Sequence, residues 1–351
     1  MERTQTRQVK VGNIVLGGND HVVIQSMCSI KTEKVDEVVA QIKELEDMGC
    51  EMIRVSVLDY KDADAIKEIV KRINIPLIAD IHFNYLFALK AMENGAAKIR
   101  LNPGNLRTEE QVVAVIEKAK EKHVPIRIGV NSGSINPEWV KENGGKVDVN
   151  LMLRSLDEYI KIFEDHDFHD LVLALKSSDA LQTLEAYRAA SKKYSYPLHI
   201  GVTETSYKDI GLIRSSVALV PLLLEGIGNT MRISLSDDPV EEIKACKRLL
   251  HEVGLYPDFP TLISCPTCGR TMGPIIKLCR EVDDVLLKYN KKIKVAVMGC
   301  VVNGLGEGKG ADIGFACSSL NTFTIFEHGQ IKGSCSADEV IPHLVKYLET
   351  K

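Results

Sequence analysis

Three cysteines and a glutamate stand where they could hold a reactive metal centre. Ser264-Cys265-Pro266-Thr267-Cys268-Gly269-Arg270 spaces two thiols so that both reach one centre from a tight turn. Pro266 stiffens that turn, and Gly269 lets the backbone come close to the sulfurs. A third thiol comes from Cys300, just past the apolar run Ile293 to Met298, which reads as a buried strand. The chain continues as a glycine-rich loop, Val302-Asn303-Gly304-Leu305-Gly306-Glu307-Gly308. No second Cys-x-x-Cys follows. Three thiolates leave a fourth position open, and Glu307 is the nearest candidate for it. The thiols alone do not choose between a structural zinc knuckle and an iron–sulfur centre. Cys28, Cys50, Cys246, Cys279, Cys317 and Cys335 stand alone and read as core, with Cys317 a weaker fourth-ligand candidate.

A second set of reactive side chains is spread over the first two thirds of the chain. Arg54, Arg100, Arg127, Lys176 and Arg232 each lie on or at the end of a short apolar run. Asp80 and His82, Asn102, Asn131, His199, Glu204 and Ser234 follow or join such runs. Cations gathered at one place are costly to bury unless an anion compensates them. The acids on these runs, Asp80, Glu204 and Glu225, are too few to do so. A phosphorylated or diphosphorylated ligand would supply the compensation, and guanidinium groups suit it best. Glu204, among cations, is the candidate general acid or base. His82 and His199 read equally as site residues or satisfied core residues.

The elements that must position these groups alternate. Val9-Lys10-Val11 and Ile14-Val15 flank Gly12-Asn13, a hairpin signal. Strands are expected at His21–Ser26, Met52–Val57, Pro76–Asp80, Ala97–Leu101, Pro125–Val130, Leu171–Lys176 and Leu198–Val202. An eighth should combine Leu222–Glu225 with Thr230–Ser234. Helices fall between them, the first from Thr32 to Met48 with Thr32 as N-cap. Eight strand–helix units imply a (β/α)8 TIM barrel, an α/β fold whose reactive groups sit at the C-terminal ends of the strands. An open doubly wound sheet is the other topology considered. Leu255-Tyr256-Pro257-Asp258-Phe259-Pro260 reads as a linker. The expected division is a barrel over residues 1–254 and a small α/β iron–sulfur domain over 255–351.

Composition narrows the class. The net charge of -4 gives no reason to expect nucleic acid. No apolar run is long enough for a membrane span, and the polar start lacks a signal-peptide core, so a cytoplasmic location is expected. Nine cysteines suit a reducing compartment better than a disulfide framework. An anion-binding barrel joined to an unsaturated three-thiolate set favours a redox iron–sulfur centre over zinc.

At these residues the chain resembles the bacterial 4-hydroxy-3-methylbut-2-enyl diphosphate synthase family of the non-mevalonate isoprenoid pathway. The resemblance spans essentially the whole chain. It rests on Arg54-Val55-Ser56-Val57, Ala79-Asp80-Ile81-His82-Phe83, Arg100-Leu101-Asn102-Pro103-Gly104-Asn105, Arg127 to Gly133, Lys176-Ser177-Ser178, His199 to Glu204 and the Ser264–Thr271 run. It implies reductive ring opening of 2-C-methyl-D-erythritol 2,4-cyclodiphosphate to 4-hydroxy-3-methylbut-2-enyl diphosphate. It further implies a [4Fe-4S] cluster on Cys265, Cys268, Cys300 and Glu307, and a diphosphate clamp of Arg54, Arg100, Asn102, Arg127, Asn131, Lys176, Arg232 and Ser234. Asp80 and His82 would lie beside the clamp, and Glu204 would be the proton donor. Ferredoxin or flavodoxin would supply electrons to a homodimer, the barrel of one chain being capped by the cluster domain of the other. Leu305 stands where the family usually has proline, while Glu307 keeps its spacing from Cys300. The large insertion domain of some relatives is absent, so this is the two-domain form. The competing readings are a non-redox barrel enzyme on a phosphorylated substrate with a structural zinc knuckle, and a non-enzymatic iron–sulfur protein.

Overall fold

The computed structural model describes residues 2–18, 20–102, 106 and 108–350, the side chains of Asn303 and Leu305 excepted. Pro103, Gly104 and Asn105 of the family motif lie outside the described residues. The chain divides into two compact units, Met1–Leu255 and Tyr256–Lys351.

The first unit opens with the hairpin β1 (Val9–Val11) and β2 (Ile14–Leu16), turned at Gly12-Asn13. There follow β3 (Val23–Met27), α1 (Val35–Asp47), β4 (Met52–Val57), α2 (Tyr60–Ile69), β5 (Leu77–Ile81), α3 (Tyr85–Glu93), β6 (Lys98–Leu101) and α4 (Glu109–Lys122). After β7 (Ile126–Asn131) come two helices, α5 (Pro137–Glu142) and α6 (Val149–Asp165). The unit ends with β8 (Leu171–Lys176), α7 (Ala180–Lys193), β9 (His199–Ile200), α8 (Lys208–Leu224), β10 (Thr230–Met231) and α9 (Pro239–Glu252). The eight strands β3 to β10 form one parallel sheet in the order β8-β7-β6-β5-β4-β3-β10-β9. A parallel bridge from Leu173 to Leu198 brings its two ends together. The sheet is therefore a TIM barrel and not an open doubly wound one. The hairpin plugs its N-terminal end: Val9, Val11 and Leu16 pack on Val23, Met52, Ile78 and Val172.

Three expected elements differ. The first helix starts at Val35, because the Thr32 hydroxyl donates to the Ser56 carbonyl (2.6 Å) instead of capping. Leu222–Leu224 ends α8 and contributes nothing to the eighth strand. The seventh and eighth strands shrink to two residues each, since the chain leaves the ladder to build the mouth.

The second unit is a five-stranded sheet in the order β11 (Thr261–Ser264), β12 (Lys294–Met298), β13 (Ile313–Ser319), β14 (Thr322–Glu327), β15 (Gln330–Ser336). Its first three strands are parallel and the rest antiparallel. Helices α10 (Ile275–Tyr289) and α12 (Val340–Thr350) bury Leu278, Val282, Leu286, Leu344 and Leu348 on one face. On the other, the glycine-rich stretch forms a short helix, α11 (Val301–Glu307), and not the expected loop. Gly304 serves close packing, whereas Gly306 faces open space. A Cβ on Gly304 would lie 2.9 Å from Met298 Cβ and 3.0 Å from Ala316 Cβ, so only glycine lets α11 lie on the sheet. Leucine at 305 also keeps the N–H that proline would remove from a helical backbone.

Candidate active site

Strand alternation turns every second residue of the barrel inward. Parallel pairing sets Asp80 beside Arg100, Arg100 beside Arg127, and Asn131 beside Lys176. Arg54, Asp80, His82, Arg100, Arg127 and Asn131 line one cavity of about 310 Å³ at the C-terminal mouth. Lys176, Thr203, Arg232 and Ser234 complete it. A Cβ on Gly201 would come within 2.7 Å of both Lys176 Nζ and the Arg232 carbonyl, so glycine there makes room for the lysine. Asn102 is buried at the end of β6, outside that lining.

Asp80 takes two guanidiniums, Arg100 Nη1 at 3.2 Å and Arg54 Nε at 3.6 Å. Burial opposes its ionisation, but Arg54, Arg100 and Arg127 together hold it below the usual carboxylate range. In this geometry Asp80 is a fixed anion that aims two arginines. Arg54 also packs its Nε and Nη2 on the Met27 sulfur, and burial pushes its pKa down to about 10. His82 Nδ1 is buried and, among the described residues, has no hydrogen-bond partner. The His199 ring is fully buried below the mouth, its Nδ1 3.4 Å from Thr230 Oγ1. Burial and the neighbouring cations, Arg127 first, push its pKa well down and keep it neutral.

Arg127 is only 2% exposed, yet its Nε and Nη1 have no partner among the described residues. A guanidinium does not shed its proton, so this buried cation asks for an anion. Glu242, which sequence reasoning missed, answers for Arg232 instead. It enters from α9 and accepts Arg232 Nε (2.8 Å) and Nη2 (2.9 Å), Ser26 Oγ (2.8 Å) and the Leu235 N–H (3.1 Å). The available signal was a charge on the apolar face of α9, in register with Ile243, Cys246 and Leu249. Glu225, counted as a mouth acid from the sequence, caps α8 and pairs with Arg188 on the surface. Among the described residues the mouth thus sets Arg54, Arg100, Arg127, Lys176 and Arg232 against two buried carboxylates, Asp80 and Glu242. Arg100→Ala is expected to weaken binding of inorganic pyrophosphate by about 10- to 100-fold, the worth of a charged hydrogen bond. An unchanged dissociation constant by calorimetry would remove Arg100 from the anion site.

Glu204 is exposed at the rim, one residue past Thr203, and is not among the cavity-lining residues. Its φ of 54° and the 83° of Ser206 are left-handed values rarely taken by such residues. The bend is held by the Thr203 N–H on the Ser177 carbonyl (3.2 Å), the Thr205 hydroxyl on the Ser234 carbonyl, and the Ser236 N–H on the Ser206 carbonyl (3.1 Å). Strain retained in this way marks sites where a side chain must point in one direction.

In the second unit, parallel pairing of Ser264 with Val297 brings the ends of β11 and β12 together. Cys265 and Cys300 follow those ends, and the Gly299 N–H donates to the Cys265 sulfur at 3.1 Å. Cys268 is exposed on the same turn, where its N–H donates to Thr271 Oγ1 (3.1 Å). Cys300 N-caps α11 and Glu307 ends it, about 10 Å along the axis at 1.5 Å per residue. Among the described residues no three His, Cys, Asp or Glu side chains are already closed around one metal position. Three thiols on converging turns with a carboxylate one short helix away are nonetheless donors of the type an iron–sulfur centre takes. Cys317 is buried in the sheet core and donates to the Ser319 carbonyl (3.0 Å), while burial raises its pKa, as suits a core thiol.

Comparison with known proteins places both units. Residues 6–247 match the GcpE TIM-barrel domain, and residues 261–350 match the GcpE protein C-terminal domain. A relative from Clostridium perfringens, named 4-hydroxy-3-methylbut-2-en-1-yl diphosphate synthase (flavodoxin), is 49% identical over 100% of both chains. Relatives of the same name from Malacoplasma penetrans (47% identical, 99% of this chain and 96% of that one) and Lysinibacillus sphaericus (51%, 90% and 84%) agree. Among solved structures, dihydropteroate synthase from Yersinia pestis covers 70% of this chain and 98% of its own with a TM-score of 0.51. At 12% identity that likeness concerns the barrel fold alone. With family models matched across both units and near-half identity along the full length, the chain belongs to the GcpE family.

Proposed function

We propose that the chain makes 4-hydroxy-3-methylbut-2-enyl diphosphate from 2-C-methyl-D-erythritol 2,4-cyclodiphosphate in isoprenoid precursor synthesis, as a redox enzyme with flavodoxin or ferredoxin as donor. The observation that carries the substrate side is the acid-poor mouth of the barrel, where Arg127 lies buried with its Nε and Nη1 unpartnered among the described residues. Arg54 and Arg100, aimed by Asp80, and Arg232, aimed by Glu242, fix the diphosphate, with Lys176, Asn131 and Ser234 completing the clamp and Asn102 supporting it. In the overall step two electrons and one proton enter, the ring carbon–oxygen bond to phosphate breaks, and a hydroxyl leaves as water. Glu204 is the proposed donor of that proton, with His82 beside the reacting oxygens.

Cys265, Cys268, Cys300 and Glu307 are the proposed holders of a [4Fe-4S] cluster, which when bound would supply the electrons singly. The carboxylate is the more labile of these ligands and can yield its place to substrate. Resemblance to the family also supports a homodimer in which each barrel is served by the partner's cysteine domain. Among the described residues no helix is long and apolar enough to cross a membrane. The relatives' shared name favours the reductive reading over a zinc knuckle on a non-redox barrel.

The test is iron, sulfide and zinc analysis of anaerobically purified protein, with a visible spectrum and turnover of the cyclic diphosphate under a reductant. About four irons and four sulfides per chain, and product formed, are expected. A colourless protein with about one tightly held zinc would overturn the reading.

A further inference from the structure

Below the anion cavity lies a layer of bases that the clamp does not use. Lys98 stands on β6, two residues before Arg100 and on the same inward face. It is 0% exposed, and its Nζ meets only the Met52 sulfur, at 3.8 Å, among the described residues. Arg127 and Arg54 are the charged groups felt at this amine, and the neutral His199 lies near it. Asp80, on the next strand, is already engaged by Arg54 and Arg100. Gln25, also fully buried in the barrel interior, has both amide atoms unpartnered among the described residues.

Two cations cannot share such a layer cheaply without a counter-charge. Arg127 keeps its proton because guanidinium is the stronger base. Lys98 is the one that yields: burial first, then Arg127 and Arg54, push its pKa well below the usual lysine value. An anion seated on Arg54 and Arg127 reverses the field at this amine. The partly buried Lys176, in the cavity wall, feels the same cations and the same reversal.

We infer that Lys98 is a further residue of the anion site, a neutral amine beneath the mouth in the free protein that takes up a proton when the cyclic diphosphate binds. It is a supporting residue and not a catalytic one, since its ammonium adds positive field beneath the anion held by Arg54 and Arg127 and touches no reacting atom. The ligand cannot be the source or sink of that proton. Each phosphorus of a cyclic diphosphate carries one strongly acidic oxygen, ionised throughout the neutral range. Because the bound-state pKa of Lys98 exceeds its free-state value, the extra affinity is complete below the free-state pKa. It is lost as pH rises through the bound-state pKa. The inference rests on the diphosphate reading of the mouth.

The experiment is calorimetric titration of the holoenzyme with the cyclic diphosphate, without reductant, in PIPES and in Tris at equal ionic strength. The wild-type binding enthalpy should depend on the buffer with the sign of proton uptake, about one proton or more. Lys98→Met should reduce that uptake by half or more and flatten the fall of affinity as pH rises. Selective ¹⁵Nζ-lysine labelling of the wild type provides a readout independent of the variant's folding, one lysine signal moving from the amine to the ammonium range on binding. Buffer-independent enthalpy in the wild type, or uptake unchanged in Lys98→Met, overturns the inference and leaves the diphosphate site standing. Absence of binding in either buffer overturns both.

Discussion

Replacing Cys265 by serine is expected to bleach the protein and stop its redox chemistry while leaving the barrel able to bind its anion. The sulfur sits where β11 ends beside β12 and accepts the Gly299 N–H at 3.1 Å. A serine hydroxyl accepts the same bond but does not ionise to a soft ligand. Altering a residue that merely supports a metal ligand costs about 10- to 100-fold, so losing a ligand should cost at least about 100-fold in turnover. Iron and sulfide content should fall with the visible absorbance. The core of the second unit, built from Leu278, Val282, Val295, Val297, Phe315 and Leu344, is untouched, so its fold should persist by far-UV circular dichroism. Cys246→Ser is the control, because that thiol is buried on α9 in the first unit and should leave the spectrum intact. A Cys265→Ser protein with full iron content and colour would remove Cys265 from the ligand set.

Glu204→Gln is expected to lower turnover by about 10²- to 10⁴-fold, the usual worth of a positioned general acid. The amide keeps the shape of the side chain and its place at φ 54°, but has no proton to give. The contacts that hold the bend are made by Thr203, Thr205, Ser206 and the Glu204 carbonyl, which accepts Arg214 Nη1 at 3.5 Å, and all survive the change. Affinity for the cyclic diphosphate should therefore stay within about twofold of wild type. The measurement is single-turnover kinetics beside calorimetric binding. If affinity falls while the single-turnover rate stays, Glu204 is a brace for the cavity rim and another group delivers the proton.

Much of the barrel could be read directly. Met52–Val57, Leu171–Lys176 and Tyr85–Glu93 carry periodicity and turn signals strong enough to mark their ends. Arg54, Arg100, Arg127, Lys176 and Arg232 carry the reading of an anion site, because charge on short apolar strands has few other uses. The short strands β9 and β10 were harder. Their length depends on where the barrel seam releases the chain, and no local pattern encodes that.

What the sequence by itself determined was the fold class, the family, the cationic strand ends and the cysteine turn, since each is written in residue types at close spacing. Tertiary structure alone decided which charges meet. Ser26 and Arg232 converge on Glu242 because barrel closure lays β3 beside β10 with α9 packed behind. Lys98 alternates with Arg100 in the sequence, but its burial with no carboxylate partner among the described residues appears only when the strands close into a barrel. The glycines after Cys300 read as a loop until Met298 and Ala316 supplied the surface on which they coil. Spacing along a chain reveals which face a side chain takes, whereas its partner is set by the register of strands distant in sequence. That register is a property of the whole packed barrel.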